Sequence, residues 1–144
     1  MTDRLKDLTE ALLDAARRAG ATEADAMAVD GTAIAVDVRH GRMEQAERSE
    51  GIEIGLRVLV GQRQAAVSAS DLSARTIADM AERAVAMARE APLDTSLGLA
   101  DPRDLSAIRD AGGLELADPT PDPEATHLEQ DARRAEAAAA AVRG

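Results

Sequence analysis

Catalysis needs groups that converge, and this sequence offers few of them. Its two histidines, His40 and His127, are the first candidates for proton transfer or metal ligation. His40 stands beside Gly41 between two alternating runs, in the position of a two-residue hairpin turn, and reads as an exposed turn residue rather than a catalytic base. His127 and Asp131 are four residues apart and share one helix face, with Glu124 close by. One imidazole with one or two carboxylates lacks the third strong ligand that zinc requires, and no His-Glu-x-x-His spacing occurs. The pair reads as a solvated helix face.

The other nucleophiles are equally isolated. Serines 49, 68, 70, 73, 96 and 106 have no Gly-x-Ser-x-Gly setting, and Lys6 is the one lysine. Gly51, Gly55 and Gly61 fall within alternating runs and a hairpin, not in a phosphate-cradling loop ahead of a helix. No catalytic, cofactor-binding or metal-binding residue is assigned. Arg57 is distinctive because it sits inside the most apolar run on the opposite parity from its bulky neighbours. It faces solvent or docks on another domain, and the solvent-facing reading has the better warrant.

Composition narrows the classes further. Of 144 residues, 27 are Leu, Ile, Val or Phe and 33 are Ala, so the core must be thin. There is no Phe, Trp or Tyr to stack on bases, and 27 acidic against 17 basic residues repel phosphate backbones, which disfavours nucleic-acid binding. Without cysteine there is no disulfide, thiol nucleophile or thiolate metal site, and the cytoplasm is the default location. The charged N-terminus does not resemble a secretory signal, and no run of apolar residues is long enough to span a bilayer.

The elements that position these residues follow from periodicity. Leu5, Leu8, Leu12, Ala16 and Ala19 recur at steps of three and four, which predicts a helix over 3–19 ending at Gly20. Period two then takes over. Ile34, Val36 and Val38 alternate with small or polar residues, as do Ile52, Ile54, Leu56, Val58 and Val60. Residues 42–48 read as a strand with little burial, Ala65, Val67 and Ala69 as a short strand, and Ala24 to Val29 as an added one. Tight links at His40-Gly41 and Gly61-Gln62 make neighbours antiparallel. Asp71 or Ser73 caps a second helix with an apolar stripe of Ile77, Met80, Ala81, Ala84, Met87 and Ala88, stopped by Pro92.

The fold class expected is therefore α+β, a mostly antiparallel sheet of four or five strands with two helices on one face. Residues 1–92 form this domain. Residues 93–126 carry four of the five prolines, the fifth being Pro92 at their border, and a charge of −6 out of the total −10, and read as an acidic Pro-rich connector touching down at Leu97, Leu99, Leu105 and Ile108. Residues 127–144 form an Ala-rich helix with almost nothing bulky to bury, so its packing surface is expected in residues outside this chain.

The stretch from Ser49-Glu50-Gly51-Ile52-Glu53-Ile54-Gly55 through Ala69-Ser70-Asp71-Leu72-Ser73 resembles the N-terminal domain of the TldD/PmbA family, also called modulators of DNA gyrase. The likeness reaches upstream to Val36-Asp37-Val38-Arg39-His40-Gly41-Arg42-Met43-Glu44 and onward into Ala81 to Arg89 and Gly98 to Pro102, with the PmbA (TldE) branch closer. It implies a cytoplasmic protein pairing with a TldD-like partner to form a metal-dependent peptidase that acts on small or unfolded peptides. It also implies that zinc belongs to the partner subunit, that a PmbA-type subunit is non-catalytic, and that no family ligand position carries onto this sequence. Two departures stand out: the chain ends at Ala-Val-Arg-Gly where members continue into further domains, and the sheet's aromatic positions are absent. Two other readings remain. One is a stand-alone interaction module using an exposed strand edge near 42–48; the other is an acidic modulator of gyrase.

Overall fold

The computed structural model describes residues 2–108, 111–116 and 118–142. Along the chain lie α1 (Thr2–Ala19), β1 (Glu23–Arg39), β2 (Arg42–Leu59), β3 (Gln64–Ala69), α2 (Ala74–Glu90), a 3-10 turn at Pro102–Asp104 and α3 (Ala125–Ala141). The class is α+β, with three antiparallel strands in the order β1-β2-β3.

The expectation of four or five strands is corrected to three because the separate alternating runs are continuous. Ala24 to Val29 and Ile34 to Val38 belong to one strand, and the polar 42–48 segment runs on into Ile52 to Leu59. Gly31 and Gly51 do not interrupt these strands, since neither has positive φ; only Gly20, Gly41 and Gly61 do among the described glycines. An extended glycine costs some entropy but does not turn the chain.

The chain divides into two compact units, one of Met1–Gly31 with Gly51–Leu105 and the other of Thr32–Glu50 with Ser106–Gly144. The first unit holds every buried side chain among the described residues. Leu12, Ala15 and Ala16 of α1, Ile54, Leu56 and Val58 of β2, and Ile77, Met80, Ala81, Ala84, Val85 and Ala88 of α2 form one cluster. The alanines let helices and sheet approach closely, and the few large residues fill the remaining space.

Helix α1 stops as expected at Gly20, whose φ of +98° only glycine adopts readily. Its N–H donates to the Arg17 carbonyl at 3.1 Å and the Ala21 N–H to the Ala16 carbonyl at 3.0 Å, a Schellman ending. The β2–β3 hairpin pairs Ile54 with Ala69 through Leu59 with Gln64, closed by the Val60 N–H donating to the Arg63 carbonyl at 2.9 Å. Ser73 caps α2, its Oγ accepting from the Thr76 N–H at 3.2 Å, while the Asp71 carboxylate accepts from the Ser73 N–H at 3.0 Å and from the Thr76 hydroxyl. Those bonds, the Thr76 hydroxyl first, hold the Asp71 carboxyl below its ordinary range. The apolar stripe of α2 includes Val85 in place of Met87, which is 47% exposed because it falls just past the stripe's edge.

In the connector, Leu97 is half-buried and Leu99 borders a small cleft with Leu13, Arg17 and Ala21. Leu105 and Ile108 do not touch down as expected: they are 57% and 74% exposed and are not among the residues that form the core cluster or pack against it.

In the second unit, the outer halves of β1 and β2 meet at a two-residue turn, His40 with φ 50° and Gly41 with φ 70°. Leu128, Glu129, Ala132 and Glu136 are the half-covered positions of α3, spaced as one helix face. Arg133 pairs with Glu129 one turn earlier. The terminal Arg143-Gly144, part of the expected truncation point, lies outside the described residues.

Candidate functional site

The most structured surface in the first unit is the outward face of its sheet. Pairing of Gly55 with Ser68 and of Arg57 with Ala66 puts these four on one face, opposite Leu56 and Val58. Arg57 reaches Asp25 of β1, its Nε donating to the two carboxylate oxygens at 3.1 and 3.0 Å, and its Nη2 also bonds Asp25. This bidentate pair raises the guanidinium pKa above its ordinary value, chiefly through the hydrogen bond, with slight desolvation opposing and Coulombic attraction adding. The residues beside Arg57 are small, so an open groove of about 660 Å³ lies there, lined among others by Asp25, Met27, Gly55, Arg57, Ala66 and Ser68. Met27 is 65% exposed and Val29 48%.

The lining of that groove carries few reactive groups. Among the residues that line it, Ser68 is the one hydroxyl and there is no histidine to activate it. Arg57 therefore points outward as expected, and its partner Asp25 is the residue that sequence reasoning missed. The signal was present in the alternation of Glu23, Asp25 and Met27 with Ala24, Ala26 and Ala28, which puts Asp25 on the outward parity.

The second unit holds both histidines. His40 occupies the turn, and its backbone N–H donates to Glu136 Oε1 at 2.7 Å while the Gly41 N–H donates to Oε2 at 2.7 Å. Glu136 was not singled out from the sequence, since nothing local links a C-terminal helix to a hairpin 96 residues earlier. His127 Nε2 lies 3.6 Å from Asp131 Oδ2, on the shared helix face expected. Arg134 also bonds Asp131, and that bond first, with the charges of Arg134 and His127, lowers the Asp131 pKa. Glu124 is the N-cap residue of α3 and makes no side-chain cap bond.

The remaining serine bonds are local: Ser96 donates from its N–H and its hydroxyl to the Asp94 carboxylate, Ser106 accepts from the Ile108 N–H, and Ser73 is the helix cap. Residues 42–50 of β2 are exposed throughout, and β3 pairs with β2 only from Ile54 onward, so in the described sheet this segment is flanked by β1 alone. The edge is lined by Arg42, Glu44, Glu47, Arg48 and Glu50.

Among the described residues no three His, Asp or Glu side chains group to hold a metal, and His127 with Asp131 supplies one nitrogen and one carboxylate already bonded by Arg134. The described residues do not fit a zinc ion.

Residues 24–88 match the model of the PmbA/TldA metallopeptidase domain 1. The chain is 33% identical over 112 residues to the metalloprotease PmbA homolog of Haemophilus influenzae, covering 78% of this chain and 24% of that protein. A crystal structure of a Bacteroides thetaiotaomicron protein assigned as a modulator of DNA gyrase superposes with a TM-score of 0.65 at 18% identity, over 75% of this chain and 24% of that one. The chain thus spans about a quarter of the length of either relative. The matched segment begins on β1 and ends on α2, so it contains the sheet's inner half, the Arg57–Asp25 pair and most of the core. This chain carries the N-terminal domain of the TldD/PmbA family.

Proposed function

We propose that the chain is the non-catalytic N-terminal domain of a PmbA-type subunit, which pairs with a TldD-like zinc metallopeptidase to process small or unfolded peptides. In this reading α1 and α2 cover one face of the sheet and the other face is left for contact within the assembly. The observation that carries it is the open face itself, where Met27 and Val29 stand exposed around the Arg57–Asp25 pair within the segment matching a metallopeptidase domain. Zinc then belongs to the partner subunit, and proteolysis to the complex. No described helix is long and apolar enough to cross a membrane, and a cytoplasmic location is part of the same proposal.

The test is co-expression with a TldD-like subunit. Copurification, with zinc and peptide cleavage found only when the partner is present, supports the reading. Stoichiometric zinc in the lone chain that disappears on His127→Ala, or cleavage of unfolded peptides by the lone chain, overturns it.

A second reading is a stand-alone module in which the edge at 42–48 accepts an extended peptide by strand addition. The lack of a β3 partner before Ile54 favours it, while the charges along that edge oppose it. Saturable shifts of those amides on titration with an unfolded peptide, without any partner subunit, would give it precedence. Gyrase modulation draws support from the net charge of −10 and the Bacteroides relative's designation. Salt-sensitive inhibition of supercoiling by the chain is its test.

A further inference from the structure

We infer that the His40-Gly41 turn is a carboxylate-binding site whose resident occupant is Glu136, and that the C-terminal carboxylate of a peptide exchanges for it. A two-residue hairpin turn leaves the N–H groups of its central residues outside the strand ladder, so they must find water or another acceptor. With φ of 50° and 70°, His40 and Gly41 aim both N–H groups at one point. The acceptor there is a single carboxylate, with one oxygen 2.7 Å from each nitrogen. Two adjacent backbone donors matched to two oxygens is the arrangement by which backbone concavities capture peptide C-termini.

The surroundings suit an anion joined to a side chain. Arg39, His40 and Arg42 bring positive or protonatable groups to both sides of the turn, and with Met43 and Glu44 they line an open cleft of about 630 Å³. Arg39 is held by Glu44 at 3.4 Å, in an exposed pair that is readily redirected. Met43 is 43% exposed and offers an apolar wall to the last side chain of a ligand. The resident helix is lightly held: α3 has no buried residue, and Leu128 and Ala132 are only half-covered. An occupant carried on such a helix is exchangeable, and its presence lowers the apparent affinity of any competitor. The inference does not depend on the peptidase reading, since the turn and its occupant lie in the same chain.

The experiment follows the backbone amide resonances of His40 and Gly41 in the 144-residue chain during titration with acetyl-Ala-Ala-Ala, as the free acid and as the C-terminal amide. Three proteins are compared: the parent chain, Glu136→Ala and Glu136→Gln. The expected result is saturable shifts of both amides with the free acid only, at an apparent affinity about tenfold higher in Glu136→Ala than in the parent, with Glu136→Gln between them. Unchanged dispersion of the amides of residues 32–38 and 43–50, and of β3 and α2, shows that the hairpin arms and the first unit remain folded in each variant. The inference is overturned if neither variant responds to the free acid, if the amidated peptide shifts the two resonances equally, or if acetate alone binds as tightly as the tripeptide. In the first case Glu136 is only a tie between helix and turn.

Discussion

Strands β1 and β2 each contribute to both compact units, and the two halves of β2 differ sharply. From Ile54 to Leu59 the strand carries four buried side chains, Ile54, Leu56, Val58 and Leu59, whereas from Arg42 to Glu50 every residue is exposed. Both halves are regular strand in sequence with one another. Strand conformation therefore does not require burial here; a hairpin turn and a neighbouring strand suffice for it. Stability is another matter, because the apolar surface removed from water is concentrated where the helices pack. The helices repeat the contrast. Helix α2 is capped by Ser73 and buries six residues, while α3 has no side-chain cap and buries none.

The largest expected effect separates the two halves of the sheet. Leu56→Ala empties a site only 1% exposed and should cost about 2–5 kcal/mol in denaturant unfolding, whereas Ile34→Ala, at a half-buried position of the second unit, should cost about 1 kcal/mol or less. Equal losses would break the comparison. Native-state hydrogen exchange extends the same test, with amides of Ile54 to Leu59 exchanging through global unfolding and those of 42–50 through local opening.

The helix caps come next. Ser73→Ala should destabilise by about 1 kcal/mol, against a few tenths for Glu124→Ala, both read from thermal unfolding monitored at 222 nm. A smaller coupling is expected for Arg57 and Asp25, whose side chains are 38% and 50% exposed: a double-mutant cycle with alanine should give about 0.2–1 kcal/mol, falling with added salt. A coupling of several kcal/mol would mean that the open face is far less solvated than its exposure implies.

The smallest effect is a pH dependence. The folded-state pKa of Asp71 is depressed by bonds from Thr76 and Ser73, so its contribution is complete above the ordinary carboxylate range and is lost as pH falls through the depressed value. The melting-temperature difference between the parent and Asp71→Asn should therefore be present at neutral pH and close on acidification. A difference that persists unchanged to low pH would refute the assignment.

Much of the first unit was legible. The stripe of α1, its stop at Gly20, the parity of β2 and the cap of α2 follow from local periodicity and from residue types with single conformational uses. Strand number was not legible. Asp30-Gly31-Thr32 and Ser49-Glu50-Gly51 look like turns by composition, and only the ladder with a neighbour shows them to be extended. Met87 and Val85 both sit near the border of one apolar stripe, and the packing of neighbouring elements decided which of them is covered. For the sites, the outward aim of Arg57 was readable from parity, but Asp25 as its partner and Glu136 as the acceptor at the turn were not. Both are pairings between residues far apart in the chain, and a one-dimensional pattern gives no measure of which distant groups meet.

The amino-acid order alone determined the apolar stripes of α1 and α2, the stop of α1 at Gly20, which face of β2 is apolar, and the reversals at His40-Gly41 and Gly61-Gln62. These depend on backbone geometry and residue chemistry within a few positions of one another. Tertiary structure decided that four short runs are two long strands beside the short β3, that the guanidinium of Arg57 is neutralised by Asp25, and that a helix carboxylate fills the donors of a hairpin turn. Each of these depends on which distant segments exclude water from one another, a property of the folded packing and not of any local stretch of chain.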